Sequence, residues 1–316
     1  MSIFFSRSGK RKHPSALEAY FKANNLINQE GGKSCVVFEN IDPMPTGRAL
    51  KESRQFGKSF LVRTEPHVVS PESYEASRAS DFDLIISMGT CDAVSGDVVY
   101  WPQVFEEGVT KVLEKWQLRQ DNAVIVASDK ISFVSGELYS LRRKAIFGIP
   151  NIDLFGYQWD RPFYKKLVVM LLEISIALRS KTPISLKAAQ SFFRRPNNYK
   201  GQIENKRTTI SSYKYCLVIE NAATYVSEKL FDALFAGCIP IYVGPELKSF
   251  GFPSGLVIEV DPTLAGLAKG LETAKTLNIV AWDTLRLDFL KDPQTWQKWQ
   301  SENVYQDVLC RIQKAL

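Results

Sequence analysis

Residues 213–244 read YKYCLVIENAATYVSEKLFDALFAGCIPIYVG, and the order of side-chain types there leaves few folds open. Tyr215 to Ile219 is a short apolar run between polar neighbours, the pattern of a buried parallel strand. Glu220 to Ala223 make a short loop, and Thr224 is placed to cap a helix by accepting a backbone N–H through its hydroxyl. Along that helix Val226, Leu230, Ala233 and Leu234 share one face. Gly237 follows the last turn, where a left-handed residue is needed and glycine strains least. Ile239 to Val243 is the second strand, with Pro240 at its start.

The segment is a βαβ unit with polar residues crowded at the carboxyl end of its first strand. Open α/β sheets bind ligands beyond the carboxyl ends of their strands. A helix N-terminus adds unpaired N–H groups and a partial positive charge suited to phosphate. This directs Glu220, Asn221, Tyr225, Glu228 and Lys229 toward a ligand site. Glu228 and Lys229 stand about 100° apart around the helix. A carboxylate suited to sugar hydroxyls is thus beside an ammonium suited to phosphate. The same charges also suit a merely solvated helix, because βαβ units occur in many unrelated proteins.

The run ENAATYVSEKLFDALFAGCIPIYVG resembles the signature of the α-1,3/4-fucosyltransferases, glycosyltransferase family 10. That signature is an apolar strand, Glu-Asn, a gap, Tyr-Val-Ser/Thr-Glu-Lys, an apolar helix, then Pro, two hydrophobic residues, any residue and Gly. Two further stretches resemble the family more loosely. RTEPHVVSPESYEASRASDFDLIIS, residues 63–87, matches a family segment in which a strand ends on a glutamate that serves as general base; here that is Glu65. Pro66 biases Glu65 toward an extended or turn conformation beyond the strand. GELYSLRRKAIFGIPNIDLFGYQW, residues 136–159, matches a helix carrying an arginine followed by a strand ending in Gly. Arg142 fits, with Ile146 and Ile149 at the family's offsets, and the adjacent Arg143 is the alternative. An arginine fork suits a diphosphate because it donates two parallel hydrogen bonds; alone, either arginine would serve equally well in a surface salt bridge. Lys206, a few residues before the central strand, is a further phosphate candidate.

The resemblance implies an α/β fold of the GT-B type: two Rossmann-like domains facing a cleft. The N-terminal acceptor-side domain would span residues 1–118. The C-terminal domain, residues 119–316, would bind the GDP-sugar, with the last helix packing back on the first domain. The implied activity is inverting transfer of fucose from GDP-fucose to a hydroxyl of a galactose- or N-acetylglucosamine-containing glycan. Glu65 would take the acceptor proton. Arg142 and Lys229 would stabilise the leaving GDP. Glu228 would hold ribose hydroxyls, Tyr225 would meet the nucleotide, and Glu220 and Asn221 would shape the fucose end. Cationic side chains can do this work without a metal or other cofactor. The alternatives are another donor such as GDP-mannose, or a non-catalytic glycan- or nucleotide-binding relative.

Composition narrows the remaining classes. With 316 residues the chain can build two ordinary domains. A net charge of +6 is too mild to call for nucleic acid. Five cysteines without a C-x-x-C pair suggest neither a disulfide framework nor a zinc site, and favour a reducing, cytoplasmic setting. Asp81-Phe82-Asp83 has metal-binding D-x-D spacing, but it precedes a strand where a metal site would follow one. The first fifteen residues hold no apolar stretch suited to a signal peptide. Leu167 to Leu178, LVVMLLEISIAL, is too short to span a bilayer. It reads as a buried helix, with contact to a membrane surface as the alternative.

Coarser readings complete the pattern. Strands are expected at 34–39, 59–63, 82–87, 122–128, 152–155 and 256–260. Helices are expected at 16–28, 48–54, 109–118, 138–147 and 262–277. Asp292 and Pro293 suggest the start of a last helix carrying Trp296, Val304, Val308 and Ile312 on one face.

Overall fold

Cys35 and Val37 pack on one side of their strand and Val36 and Phe38 on the other, and both sides are buried. That two-sided burial is the mark of a parallel sheet covered on both faces. The computed structural model describes residues 3–6, 15–24, 35–40, 57–75, 81–88, 97–99, 112–179, 183–186, 189–224, 226–292 and 297–316. The expected helix at 48–54, Cys91, Tyr100, Trp101, Tyr225, Pro293 and Trp296 lie outside these residues.

The first sheet is β1 (Ile3–Ser6), β2 (Cys35–Glu39), β3 (Lys58–Arg63), β4 (Leu84–Met88) and β5 (Asp97–Val99), parallel and side by side in chain order. The second is β6 (Gln120–Val126), β7 (Ile152–Phe155), β8 (Tyr213–Ile219), β9 (Ile239–Val243) and β10 (Ile258–Glu259), again parallel, in the order β10-β9-β8-β6-β7. The described helices are α1 (Ala16–Ala23), α2 (Tyr139–Gly148), α3 (Phe163–Arg179), α4 (Ala189–Phe192), α5 (Lys206–Ser211), α6 (Glu228–Phe235), α7 (Leu264–Lys275), α8 (Ile279–Lys291) and α9 (Ser301–Ala315).

In the second sheet the strand order reverses between β6 and β8. The carboxyl ends of those strands therefore diverge into a crevice, the usual ligand position in such sheets. All seven residues of β8 are buried, as expected of a central strand. Trp299 packs in the second core against Phe231, Phe250 and Phe252. A few residues later Val304, Val308 and Ile312 of α9 pack in the first core, against Phe60, Val62 and Ile86. The end of the chain thus belongs to both cores.

Three helices depart from the sequence reading. Helix α6 starts at Glu228 and is capped by Ser227, not by Thr224. The Glu220 carboxylate accepts hydrogen bonds from the Ser227 backbone N–H (2.8 Å) and Oγ (2.5 Å), which fixes the cap that starts the helix. Gly237 does adopt a left-handed φ of 68° just after the helix. Asp292 ends α8 where the sequence suggested a helix start. Helix α8 lacks a clean apolar stripe because its buried side includes the Asp283–Arg286 ion pair at 2.7 Å. The long apolar helix α3 is not buried: only Lys166 and Ala177 are fully covered. A continuous apolar run is apolar all round a helix, so one packed side leaves the other exposed.

Candidate functional site

The crevice between β6 and β8 opens into a cavity of about 430 Å³. Six stretches of the second half line it. The end of β6 gives Val126, Ala127, Ser128 and Lys130, and the end of β7 gives Gly156 and Tyr157. Ile203, Glu204 and Lys206 come from the approach to α5, and Asn221 from the end of β8. Glu228 and Lys229 come from the first turn of α6, and Arg142 from α2. Glu65, just beyond β3 of the first sheet, also lines it. Four cations, Lys130, Arg142, Lys206 and Lys229, therefore share one wall system with three carboxylates, Glu65, Glu204 and Glu228.

Arg142 is buried and aimed at the end of β8. Its Nη2 donates to the carbonyl oxygens of Ile219 (2.7 Å) and Glu220 (3.3 Å) and to Asn221 Oδ1 (3.1 Å). All three bonds use one nitrogen, and Nε and Nη1 have no hydrogen-bond partner among the described residues. Arg143 points elsewhere. It forms a buried ion pair with Asp129, donates to the Ser191 carbonyl, and lies against the rings of Trp159 and Phe192. Of the two arginines only Arg142 lines the cavity.

Lys229 is oriented from beneath. Its Nζ donates to Ser227 Oγ (2.9 Å) and stands 3.6 Å from Glu220 Oε2. Glu220 is fully buried and does not line the cavity, in contrast to its expected ligand contact. Burial pushes its carboxyl above the usual range, while Lys229 and the Ser227 hydrogen bonds pull the other way. With such partners the carboxyl braces Ser227 and Lys229 at the helix N-terminus. Glu228 is half exposed, and Lys206 approaches it at 3.7 Å while pairing closely with Asp232. Burial raises the Glu228 carboxyl, but Lys229 and Lys206 outweigh it and hold the group below its ordinary value. Lys206 reaches the cavity already balanced by acids, so its charge is less available to a phosphate than that of Arg142 or Lys229.

Glu65 is held through its backbone. Its N–H donates to Asn40 Oδ1 (3.2 Å) and its carbonyl accepts from Tyr74 Oη (2.9 Å). The loop that follows docks on the second half of the molecule. His67 Nε2 contacts the Ser135 carbonyl at 3.0 Å, Ser132 Oγ donates to the Val68 carbonyl at 2.9 Å, and Val68 packs with Ile131 and Phe133. These contacts bring Glu65 to the cavity that Arg142 also lines. Asp83, from the D-x-D pattern, is used structurally: its Oδ2 accepts from the Ser59 N–H at 2.7 Å.

Gly156 forms the turn between β7 and Tyr157 at a φ of 140°. A Cβ there would collide with the Ala127 carbonyl oxygen, so the two strand ends approach as closely as they do only because the residue is glycine. Lys130, Tyr157, Glu204, Asn40 and Ser227 were not singled out from the sequence. Lys130 stands just past a strand's carboxyl end, a signal that could have marked it; the others carry no local pattern.

Neither a known family profile nor a curated protein matches the chain by sequence. Solved structures do match. Anabaena Alr3699/HepE, solved with UDP and glucose, aligns over 99% of this chain and 99% of its own, at 9% identity and a TM-score of 0.54. Sucrose-phosphate synthase from Thermosynechococcus elongatus aligns over 98% of this chain and 82% of its own, at 12% identity and a TM-score of 0.54. The α,α-trehalose 6-phosphate synthase of Burkholderia multivorans aligns over 93% and 78%, at 9% identity and a TM-score of 0.52. The fold is of the α/β GT-B type. At these identities the likeness speaks for the fold alone, and the chemistry is argued from the cavity.

Proposed function

We propose that the chain is an inverting glycosyltransferase that moves fucose from GDP-fucose to a hydroxyl of a galactose- or N-acetylglucosamine-containing glycan. One observation carries the reading: a carboxylate from one half, Glu65, shares a cavity with the arginine, asparagine, glutamate and lysine of the other half that the fucosyltransferase signature names. The diphosphate would lie at the N-terminus of α6, against Lys229 and the remaining N–H groups of Arg142. Glu228 would accept from ribose hydroxyls. The acceptor oxygen attacks fucose C1 as its proton passes to Glu65. The bond from C1 to the phosphate oxygen breaks, and GDP leaves with the electron pair. Arg142 and Lys229 stabilise the charge that develops on it, without reorganising, because both are already fixed by partners. The cations present suffice in kind for this step, with no metal or cofactor invoked.

A UDP-sugar is the second reading, favoured by the UDP and glucose bound to HepE. A donor panel of GDP-fucose, GDP-mannose and UDP-glucose, read as nucleoside diphosphate release with and without N-acetyllactosamine, separates the readings. Acceptor-stimulated release from GDP-fucose supports the proposal. Release from another donor alone replaces the sugar, and GDP binding without turnover of any donor would point to a non-catalytic relative.

A further inference from the structure

Helix α3 presents two adjacent apolar stripes to solvent. Phe163, Leu167 and Leu171 form one at four-residue spacing, and Tyr164, Val168 and Leu172 form the next. Phe163, Leu171 and Leu178 are 66%, 57% and 62% exposed, far beyond scattered surface leucines. The opposite side of the helix is firmly seated. Val169, Met170, Ile174 and Ala177 pack with Val68, Phe133 and Phe192, and Lys166 Nζ pairs with Asp129 at 3.0 Å. The outward face is therefore fixed in place by the same cluster that docks the loop after Glu65.

Charge decides what would cover that face. From Pro162 to Arg179 every exposed charged side chain is basic, namely Lys165 and Arg179. Glu173, the helix's single acid, lies on the less exposed side, and the nearest exposed acid before the helix is Asp160. Phe193 extends the patch by packing on Phe163, with ring centroids 4.8 Å apart, and it is followed by exposed Arg194 and Arg195. Among the described residues no helix is long and apolar enough to cross a membrane. A helix of 17 residues, about 26 Å long, with an apolar face and a basic fringe, lies in the plane of a lipid surface instead of spanning it. Its long basic side chains reach up to head groups while the leucines enter the acyl boundary.

We infer that the exposed face of α3 is a docking surface for membranes carrying anionic lipid. The inference is independent of the donor sugar. The test is flotation of the purified full chain with phosphatidylcholine vesicles, with and without phosphatidylglycerol. The expected result is binding to the anionic vesicles, much weaker binding to the neutral ones, and weakening by added salt. The double variant Leu171→Gln/Leu172→Gln should lower partitioning about tenfold or more. Its melting temperature should stay that of the parent, because both side chains are exposed. A Lys165→Glu/Arg179→Glu variant should lose the preference for anionic vesicles. No flotation of the parent chain, or flotation unchanged in the leucine variant, would overturn the inference. So would a dimer that the leucine variant dissociates in the absence of vesicle binding, since the face would then serve a second copy of the chain.

Discussion

Replacing Arg142 by lysine keeps a charge but removes the fork, and the structure sets what that should do. The parent side chain holds Ile219, Glu220 and Asn221 through Nη2, leaves Nε and Nη1 without a hydrogen-bond partner among the described residues, and lines the cavity. One ammonium cannot serve both places. If lysine stays with the β8 carbonyls, the leaving diphosphate loses an oriented cationic donor, which is worth about 10²- to 10³-fold in kcat, or roughly 3–4 kcal/mol. If it turns to the diphosphate, buried carbonyls lose a charged partner at about 1–3 kcal/mol, and the melting temperature falls by several degrees. The assay is kcat with saturating donor, GDP affinity by calorimetry, and thermal melting on the same preparation. The expected outcome is a fall in kcat of at least about a hundredfold with at most a modest loss of stability. A variant that melts lower yet retains kcat within a few-fold would show that Arg142 only braces the strand end, and the assigned role would be wrong.

Two other outcomes follow from neighbouring groups. Arg143→Met breaks a buried ion pair with Asp129 and should destabilise the fold by about 3 kcal/mol while leaving kcat per folded molecule unchanged, because Arg143 does not line the cavity; denaturant melts beside active-site titration check this. Burial raises the Glu173 carboxyl from 4.5 to about 7, opposed by Lys130. The unfolded chain then releases this proton from about pH 4.5 and the folded chain only near pH 7, so stability should fall as pH rises through that window. The gap amounts to about 3 kcal/mol. Glu173→Gln should remove that slope and be the more stable protein at pH 8, as read from urea melts across the range.

The sequence carried the second half of the fold better than the first. Strands at 152–155 and 239–243 were legible to the residue because short, mainly apolar runs end at Gly156 and Gly244. Helix α6 was displaced by one turn because its true cap, Ser227, is chosen by the distant carboxylate of Glu220, not by local propensity. Helix α8 was missed because a buried ion pair interrupts its apolar face. In the site, the glutamate-arginine-lysine set could be named because its three stretches resemble those of the fucosyltransferase family. What hydropathy cannot tell is which way a side chain turns. Arg142 and Arg143 are adjacent and chemically alike, yet one lines the cavity and the other is buried with Asp129. Glu220, polar and beside a strand end, is turned inward for the same kind of reason. The exposed face of α3 was misjudged because composition reports how apolar a helix is, not how many of its sides find a partner.

The central claim is that Glu65 supplies the base to a donor held by the other half of the molecule. Two hydrogen bonds that hold the residue run through its backbone N–H and carbonyl, and Glu65→Gln leaves both in place while keeping the side chain's size. The most direct measurement is acceptor-stimulated GDP release from GDP-fucose by the parent chain and by Glu65→Gln, with GDP-fucose affinity measured for both. The account predicts stimulated release by the parent, a loss of about 10²- to 10⁴-fold in kcat for the variant, and donor affinity unchanged within a factor of a few. Turnover retained by Glu65→Gln, or lost in proportion to donor binding, would contradict it.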